Sequence, residues 1–227
     1  MDTAVALVGG TGAAGRGLGI RFALAGIRLH IGSRNVDRAQ TTAELIADQS
    51  QNRNISGHTN QDAVVGSGIV ILCVPIAAHA KTLQSIRDAM EPGTILVDAT
   101  VPLEIAIGGR LSRTISLWDG SAAQQAARLL PDIPVVAAFH SLSAESLLNA
   151  EQPLDCDALI CSDNPDAKRA VMDLAALIPG VRSIDAGPLE NARLLESLAA
   201  LLISLNLRHR SKHAGIRITG LCDEGKS

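Results

Sequence analysis

The stretch that decides the fold is GGTGAAG, residues 9–15, in which Gly10, Gly12 and Gly15 have the spacing GxGxxG. It follows a short apolar run that ends at Val8 and it opens a segment of helical composition, which is the context of a phosphate-binding loop. In that context Gly10 permits a tight turn, Gly12 the approach of a pyrophosphate, and Gly15 the packing of helix on sheet. The N–H groups at such a helix start favour anions. The stretch therefore predicts a dinucleotide-binding loop.

Strands and helices are expected to alternate along the rest of the chain. Apolar runs predict strands at residues 3–8, 27–31, 68–75, 93–98, 133–140, 157–163 and 180–188. Helices are expected at residues 13–25, 36–49, 165–177 and 189–208, and the tail at 213–221 could add an edge strand. Alternation of this kind indicates βαβ units and a right-handed crossover between parallel strands. The predicted fold class is α/β, a Rossmann-type, doubly wound and mostly parallel sheet with a small C-terminal extension packed on it.

The sequence contains no linker-like segment, so residues 1–227 are expected to form a single dinucleotide-binding α/β domain. Its core would span roughly residues 1–130, and the C-terminal portion, roughly 131–227, would complete the sheet. The helix at 189–208 is apolar on most sides, which is typical of a helix that is buried or packed on a partner chain. We therefore expect a homodimer.

Composition excludes several classes of function. A net charge of −3 gives no reason to expect nucleic acid or a membrane surface as a partner. The N-terminus has no cationic leader and no apolar run reaches the roughly 20 residues of a membrane helix, so a cytoplasmic protein is expected. The chain has no tyrosine, the residue that short-chain dehydrogenases use as proton donor. The cysteines fit no zinc spacing, so reduced thiols and no metal are expected at Cys73, Cys156, Cys161 and Cys222.

The end of the second expected strand, IGSRNVDR at residues 31–38, indicates the type of dinucleotide. An NAD enzyme places an acidic residue about 20 residues beyond the glycines, where it binds the ribose hydroxyls. In this chain the position 20 residues beyond Gly12 is Gly32, and Ser33, Arg34 and Arg38 follow it. A guanidinium binds a 2′-phosphate that a carboxylate would repel. NADP is therefore favoured, and the alternative is a helix start whose charges are merely solvated.

Four segments together resemble one known family. LVGGTGAAGRGLGIRFALAGIRLHIGSR (7–34), VVAAFHSLSA (135–144), IDAGPLENARLLESLAALLISLN (184–206) and HAGIRI (213–218) are similar, in order, to the NADPH-dependent reductases of the 8-hydroxy-5-deazaflavin coenzyme F420. The glycine loop alone is common to many proteins, whereas the loop, GSR and DAGPL in combination are specific. The pattern differs from the family's at Ile76 and at Leu142–Ser143.

The resemblance implies two binding sites. The NADP site, including the glycine loop, would contain Gly10, Thr11, Gly12, Ala13, Ala14, Gly15, Ser33, Arg34, Arg38, Val74, Pro75, Val101 and Ala144. The deazaflavin coenzyme F420 would lie against His140, Ser141, Leu142 and Ala214. The C-terminal portion of this single NADP-binding domain, roughly 131–227, would thus complete the pocket of the second cofactor. His140 would orient the deazaflavin with a hydrogen bond and would not be an obligatory base. Two roles remain open for His79, a place near the nicotinamide or a cap of its helix.

The implied activity is the direct transfer of a hydride between NADP(H) and coenzyme F420. Such a transfer needs two rings held face to face in a dry pocket and little else from the protein. One alternative is an NADP-dependent reductase of another small carbonyl or imine; the long helix lacks the lysine of a β-hydroxyacid dehydrogenase. A second alternative is a non-catalytic NADP-binding module. The basic run RHRSKH, residues 208–213, either complements a helix C-terminus or attracts an acidic coenzyme tail.

Overall fold

The computed structural model of the chain describes residues 4–221, and its centre is a six-stranded sheet. The strands are β1 (Ala4–Val8), β2 (Leu29–Ser33), β3 (Ile55–Thr59), β4 (Ser67–Leu72), β5 (Ile95–Asp98) and β6 (Val135–Ala137). Every neighbouring pair is parallel, and the order across the sheet is β3-β2-β1-β4-β5-β6. The order reverses between β1 and β4, and such a reversal opens a crevice at the carboxyl ends of the strands.

Helices cover both faces of this sheet. They are α1 (Ala13–Leu24), α2 (Val36–Ser50), α3 (Asn60–Val64), α4 (Ile76–Ile86) and α5 (Ala122–Leu129). Apolar side chains of α1 and α2 join one buried cluster, and those of α3, α4 and α5 join another that contains the opposite faces of β1 and β4. Alternate residues of one strand point to opposite faces, which explains why Leu7 belongs to the first cluster and Val8 to the second. The predicted doubly wound Rossmann-type fold is confirmed.

The second half of the chain does not continue the main sheet beyond β6, and on this point the expectation was wrong. Strands β7 (Cys156–Ile160) and β8 (Val181–Asp185) form a separate parallel pair. This pair meets the main sheet at one antiparallel bridge, between Ala137 and Cys161. The two strands pair with each other along their full length, and a strand pattern in the sequence does not specify the pairing partner.

Three further helices follow β6: α6 (Ala144–Leu148), α7 (Pro165–Ala176) and α8 (Ala192–His209). Apolar residues of α7 and β7 belong to the same buried cluster as those of α1. The C-terminal portion is therefore packed on the first half through a shared core. Helix α8 begins after a single 3-10 turn at Leu189–Asn191, close to the predicted start.

The tail after α8 forms no strand within the described residues, contrary to the expected edge strand. It runs beside β7, where the N–H of Asp157 donates to the carbonyl of Ile216 at 2.7 Å and the N–H of Ile218 donates to Asp157 Oδ2 at 2.6 Å. Burial acts to raise the pKa of Asp157, but hydrogen bonds from Arg182, Ile218 and Arg217 outweigh it and lower the pKa to about 2. A buried carboxylate therefore holds the tail in place.

None of the helices in residues 4–221 is both long enough and apolar enough to cross a membrane. Thr3 of the first predicted strand and Cys222 lie outside the described residues.

Candidate active site

The glycine loop makes the turn from β1 into α1. The N–H of Gly10 donates to the carbonyls of Leu7 at 3.0 Å and Gly32 at 2.9 Å. A Cβ on Gly10 would lie 2.7 Å from the Leu7 carbonyl oxygen, and a Cβ on Gly15 would lie 2.6 Å from the Gly10 Cα. Both positions therefore need glycine for steric reasons. Gly12 is the N-cap of α1 and makes no side-chain hydrogen bond to it, so the first N–H groups of the helix are available to an anion.

A cleft of about 760 Å³ opens in front of this loop, at the reversal of strand order. Its walls are residues that follow β1, β2, β3 and β4: Gly9, Thr11, Gly12, Ser33, Arg34, Asn35, Arg38, Asn60, Cys73, Val74, Pro75, Ala77, Ala78 and Thr82. Seven residues of the predicted NADP site meet here, namely Thr11, Gly12, Ser33, Arg34, Arg38, Val74 and Pro75. Gly10 and Gly15 are buried behind the loop, and Ala13 and Ala14 are exposed at the start of α1.

Two arginines stand at one end of the cleft. Strand β2 ends at Ser33, two residues later than predicted, so Arg34 follows the strand directly and Arg38 lies in the first turn of α2. Both are exposed, and no acidic side chain in residues 4–221 pairs with either. Asn35 caps α2 by accepting the N–H of Arg38 at 2.9 Å. Two free guanidinium groups on a capped helix start form a site for a doubly charged anion.

Asn60 is a cleft residue that the sequence analysis missed. It is the first residue of α3, and its Oδ1 accepts the N–H of Gly9 at 3.2 Å, which ties the glycine loop to the end of β3. Strand β3 itself was not predicted. Its five residues, ISGHT, are all half-buried and include a glycine and three polar side chains, so they give no strand pattern.

His140 lies beyond β6, at the same edge of the sheet. Phe139 has a left-handed backbone that is a rare conformation for a bulky residue, and its ring packs edge-on against Phe22 of α1 at 6.0 Å. This contact fixes the turn that carries His140. Within residues 4–221 neither ring nitrogen of His140 makes a hydrogen bond of good geometry, and neither does the hydroxyl of Thr100, although the backbone of Thr100 lies close enough to act on the pKa of the ring. Burial lowers the pKa of His140 to about 4, so the ring is neutral at pH 7.

The other residues of the predicted deazaflavin site have different surroundings. The Ser141 hydroxyl donates to the carbonyl of Asp157 at 2.8 Å, and Leu142 belongs to the apolar core. Ala214 lines a separate cavity of about 330 Å³ beside α6 and the tail. Among the residues that line the large cleft, Val101 and Ala144 are absent. The structure thus brings together more of the residues predicted to bind the phosphates than of those predicted to bind the deazaflavin.

Arg21 is a buried cation that the sequence analysis also missed. It lies on α1 and donates to five carbonyls at and beyond the end of α6, at distances from 2.6 to 3.3 Å: those of Ser146, Leu147, Asn149, Ala150 and Gln152. Only 2% of the side chain is exposed. One turn earlier on the same face, a Cβ on Gly17 would lie 2.5 Å from the Leu147 Cβ. The helix that carries the glycine loop is therefore joined to the segment that follows His140.

Of the two roles considered for His79, the helix cap is wrong, because the N-cap of α4 is Pro75 and no side chain caps this helix. A place near the nicotinamide stays a prediction. His79 lies in the first half of α4, is fully buried, and does not line the cleft. Its ring nitrogens bond to Asp98 at 2.6 Å and to Gln125 at 3.0 Å. Of the other histidines, His209 and His213 are exposed, whereas His30 and His58 are half-buried with their rings in edge contact at 5.3 Å.

The DAGPL segment has a structural explanation in this chain. Asp185 accepts the N–H of Gly187 at 2.8 Å and pairs with Lys168 at 2.7 Å, while Gly187 has a φ of 90°. At the end of the motif, Glu196 of α8 is buried and accepts the N–H of Ala122 at 2.8 Å, so it caps the start of α5. The motif therefore docks α8 on the sheet domain and contributes no residue to the cleft.

These features define a class. The glycine loop, whose turn leaves no room for side chains, lies where the strand order of a doubly wound sheet reverses, and two unpaired arginines follow β2. Together these features are typical of a dinucleotide-binding protein of the Rossmann type. Residues 4–102 match the family model described as NADP oxidoreductase coenzyme F420-dependent.

Comparison of the whole chain leads to the same family. The chain is 46% identical over 224 residues to the F420-dependent NADP reductase of Methanothermobacter thermautotrophicus, covering 97% of this chain and 96% of that one. It is 38% identical to the enzyme of that name in Methanocaldococcus jannaschii, covering 96% and 98%. The crystal structure of a putative F420 dependent NADP-reductase from Arthrobacter sp. FB24 shares the fold, with a TM-score of 0.81, 22% identity and coverage of 96% and 100%. The chain belongs to the family of F420-dependent NADP reductases, and the predicted family is confirmed.

Proposed function

We propose that the cleft binds NADP and that the chain transfers a hydride between NADP(H) and coenzyme F420. The observation that carries this proposal is the pair of unpaired guanidinium groups, Arg34 and Arg38, at the end of a cleft whose other end reaches Pro75 and Thr82. In this arrangement the N-terminus of α1 holds the pyrophosphate, and Ser33 and the two arginines hold the 2′-phosphate.

The residues present fit both groups. The cleft offers free N–H groups and cations at one end and small side chains, Ala77 and Ala78, at the other. The nicotinamide and the deazaflavin supply, when bound, the two carbon centres between which the hydride moves. The chain's part is to hold the nicotinamide half against α4 and the loop after β5, and to keep water out. Either direction of transfer fits this arrangement.

His140 is the polar residue proposed for the deazaflavin side. A neutral imidazole has one donor and one acceptor nitrogen, and in residues 4–221 neither makes a hydrogen bond of good geometry. A buried polar group without a partner costs roughly 1–3 kcal/mol, and a hydrogen bond to a bound ring would recover part of that cost. His140 therefore orients the ring and does not deliver a proton to it.

The activity is tested by mixing the protein with NADPH and oxidised coenzyme F420 and following the loss of the deazaflavin's visible absorbance. We expect turnover with coenzyme F420 and none with simple carbonyls or imines. Tight NADPH binding without any change in absorbance would exclude the proposal and favour a different acceptor.

We expect His140→Ala to raise the KM for coenzyme F420 about tenfold while the KM for NADPH changes less than twofold. The physical reason is the loss of one hydrogen bond to the deazaflavin in a dry site. The exposed His209→Ala is the matched control. A His140→Ala enzyme with an unaltered KM for coenzyme F420 would contradict this role.

We also propose that the enzyme is a cytoplasmic homodimer, with α8 at the contact between subunits. Leu194, Leu201 and Leu205, which recur at helical spacing, are 57%, 54% and 38% exposed. Such a row is a surface that a partner helix can cover. Sedimentation should give twice the monomer mass for the native chain, and Leu201→Lys should shift it toward the monomer. A monomeric native protein would refute the proposal.

A further inference from the structure

His79 is a titratable group that the proposed function does not use, and it is enclosed by polar partners. Its side chain and that of Asp98 are both 0% exposed. Nε2 lies 2.6 Å from Asp98 Oδ2, and Nδ1 lies 3.0 Å from Gln125 Oε1. A histidine held at both nitrogens in the interior has a protonation state that its partners determine.

Both partners of His79 are hydrogen-bond acceptors. The amide nitrogen of Gln125 points toward Asp119 Oδ2, 3.5 Å away, so its oxygen faces His79. If the Gln125 amide were flipped, its oxygen would face the Asp119 carboxylate, and two acceptors would then face each other. Asp119 is in turn held by Arg128, at 2.5 Å. Two acceptors require two N–H donors, and an imidazole ring has two only when it is protonated.

The electrostatic balance agrees with this hydrogen-bond pattern. Burial acts to lower the pKa of His79, but the hydrogen bond and the charge of Asp98 outweigh it and raise the pKa above its usual value. Glu196 of α8 is a further buried acid near Asp98, and burial and the charge of Asp98 raise its pKa to about 8. The charge of Asp98 thus acts in favour of the protonated ring of His79.

The pair joins a helix that lines the cleft to the end of strand β5. On α4, Ala78 and Thr82 line the cleft while His79 faces the interior. At the end of β5, Asp98 Oδ1 accepts the N–H of Thr100 at 2.8 Å and so shapes the loop that leads to Val101, a residue of the predicted NADP site. The imidazolium thus connects the helix that lines the cleft to the loop after β5.

We propose that His79 is a positioning residue: a buried imidazolium, held between Asp98 and Gln125, that fixes α4 and the loop after β5 around the nicotinamide half of NADP. This proposal rests on the proposed function, because it assumes that the cleft binds NADP. It assigns no contact with either coenzyme to His79.

The first test measures the protonation state, which does not depend on any coenzyme. In protein labelled with ¹⁵N-histidine at pH 7, we expect two slowly exchanging ring N–H signals for His79, assigned by their loss in His79→Gln. A single ring N–H signal would overturn the proposal.

The second test compares two ligands that share the adenosine end of the cleft. Calorimetry should show that His79→Gln weakens NADPH binding about tenfold while binding of adenosine 2′,5′-bisphosphate changes less than twofold. Gln125→Met, which leaves the Asp98 contact intact, should give a smaller loss with the same selectivity, and it serves if His79→Gln fails to fold. His209→Gln, at an exposed histidine, is the control.

The outcomes separate this proposal from the proposed function. Equal weakening of both ligands would mean that His79 only stabilises the fold, and no weakening of either would mean that it positions nothing; both results overturn the proposal. If the native protein bound neither ligand, the proposed NADP site would be wrong, whereas the ring N–H count would still be measured independently.

Discussion

The two ends of the cleft are built in opposite ways. The adenosine end presents exposed cations, Arg34 and Arg38, that have no acidic partner within residues 4–221. Beyond the other end lie three buried polar groups, His79, Asp98 and His140. At the exposed end a side chain can be replaced without disturbing the fold, because water can form hydrogen bonds with any polar group that loses its partner. At the buried end each polar group depends on its neighbours, so binding and stability cannot be separated there.

The largest effect should come from Arg21, which holds the segment at and after the end of α6 against α1. Arg21→Met removes a donor from five carbonyls, of which that of Asn149 still accepts the N–H of Gln152 at 3.3 Å. Since each unsatisfied buried group costs roughly 1–3 kcal/mol and water will reach some of them, we expect the free energy of unfolding to fall by about 4 kcal/mol. Urea denaturation measures this difference.

The control for Arg21 is Arg28→Met, which removes an exposed arginine and should change stability by less than about 0.5 kcal/mol. Arg21→Lys, which keeps the charge but not the planar fork of donors, should lie between the two. If Arg21→Met were as stable as Arg28→Met, the hydrogen bonds from Arg21 to the carbonyls at the end of α6 would not stabilise the fold.

Substitutions at the exposed end should weaken ligand binding and leave the free energy of unfolding almost unchanged. We expect Arg34→Ala combined with Arg38→Ala to weaken NADPH binding about 100-fold, or ~2.7 kcal/mol, because two charge-assisted contacts to the 2′-phosphate are lost. NADH binding and the free energy of unfolding should hardly change. Fluorescence titration with each nucleotide measures the ratio, and Arg53→Ala, at an arginine paired with Asp48 on the surface, is the control. Equal losses for NADPH and NADH would show that the arginines do not select the dinucleotide.

The same contrast explains how much the sequence could predict. The glycine loop and the arginines after β2 are local, since a few consecutive residues carry the turn, the helix start and the charge. The doubly wound fold followed from them and from the alternation of apolar runs. Five of the predicted NADP residues, from the glycine loop and the segment after β2, line the cleft for this reason, and two more, Val74 and Pro75, follow from the family resemblance.

The buried end depends on contacts between distant segments, which no local pattern reveals. Arg21 meets residues 125 to 131 positions away, and His79 meets partners 19 and 46 positions away. Phe139 has a left-handed backbone although it is not a glycine, so the sequence does not indicate this turn. The segments of β7 and β8 have strand patterns, but no local pattern shows that they pair with each other and do not extend the main sheet. The position of Arg21 on an otherwise apolar helix face was the one available signal.

A substitution at Glu196 should have the smallest effect on the free energy of unfolding. This effect should depend on pH, because Glu196 is a buried titratable group. Burial and the charge of Asp98 raise the pKa of Glu196 to about 8, against the opposing hydrogen bonds from Ala123 and Ala122. The folded protein therefore keeps a proton that the unfolded chain, with an ordinary carboxyl pKa near 4.5, has released. The associated stability is complete below the unfolded value and is lost as the pH rises through about 8.

Glu196→Gln removes this titration while its amide oxygen can still accept the two N–H groups at the start of α5. Between about pH 7 and pH 8.5 the native protein should lose about 1 kcal/mol relative to Glu196→Gln, since one bound proton contributes roughly 1.4 kcal/mol per pH unit. Urea denaturation at several pH values measures the two slopes, with Glu190→Gln, at an exposed acid beside the same helix, as the control. Parallel slopes for the native protein and Glu196→Gln would mean that Glu196 is already ionised in the folded state. In that case the buried end would tolerate a second carboxylate beside Asp98, and the contrast between the two ends of the cleft would be weaker than the burial of these groups indicates.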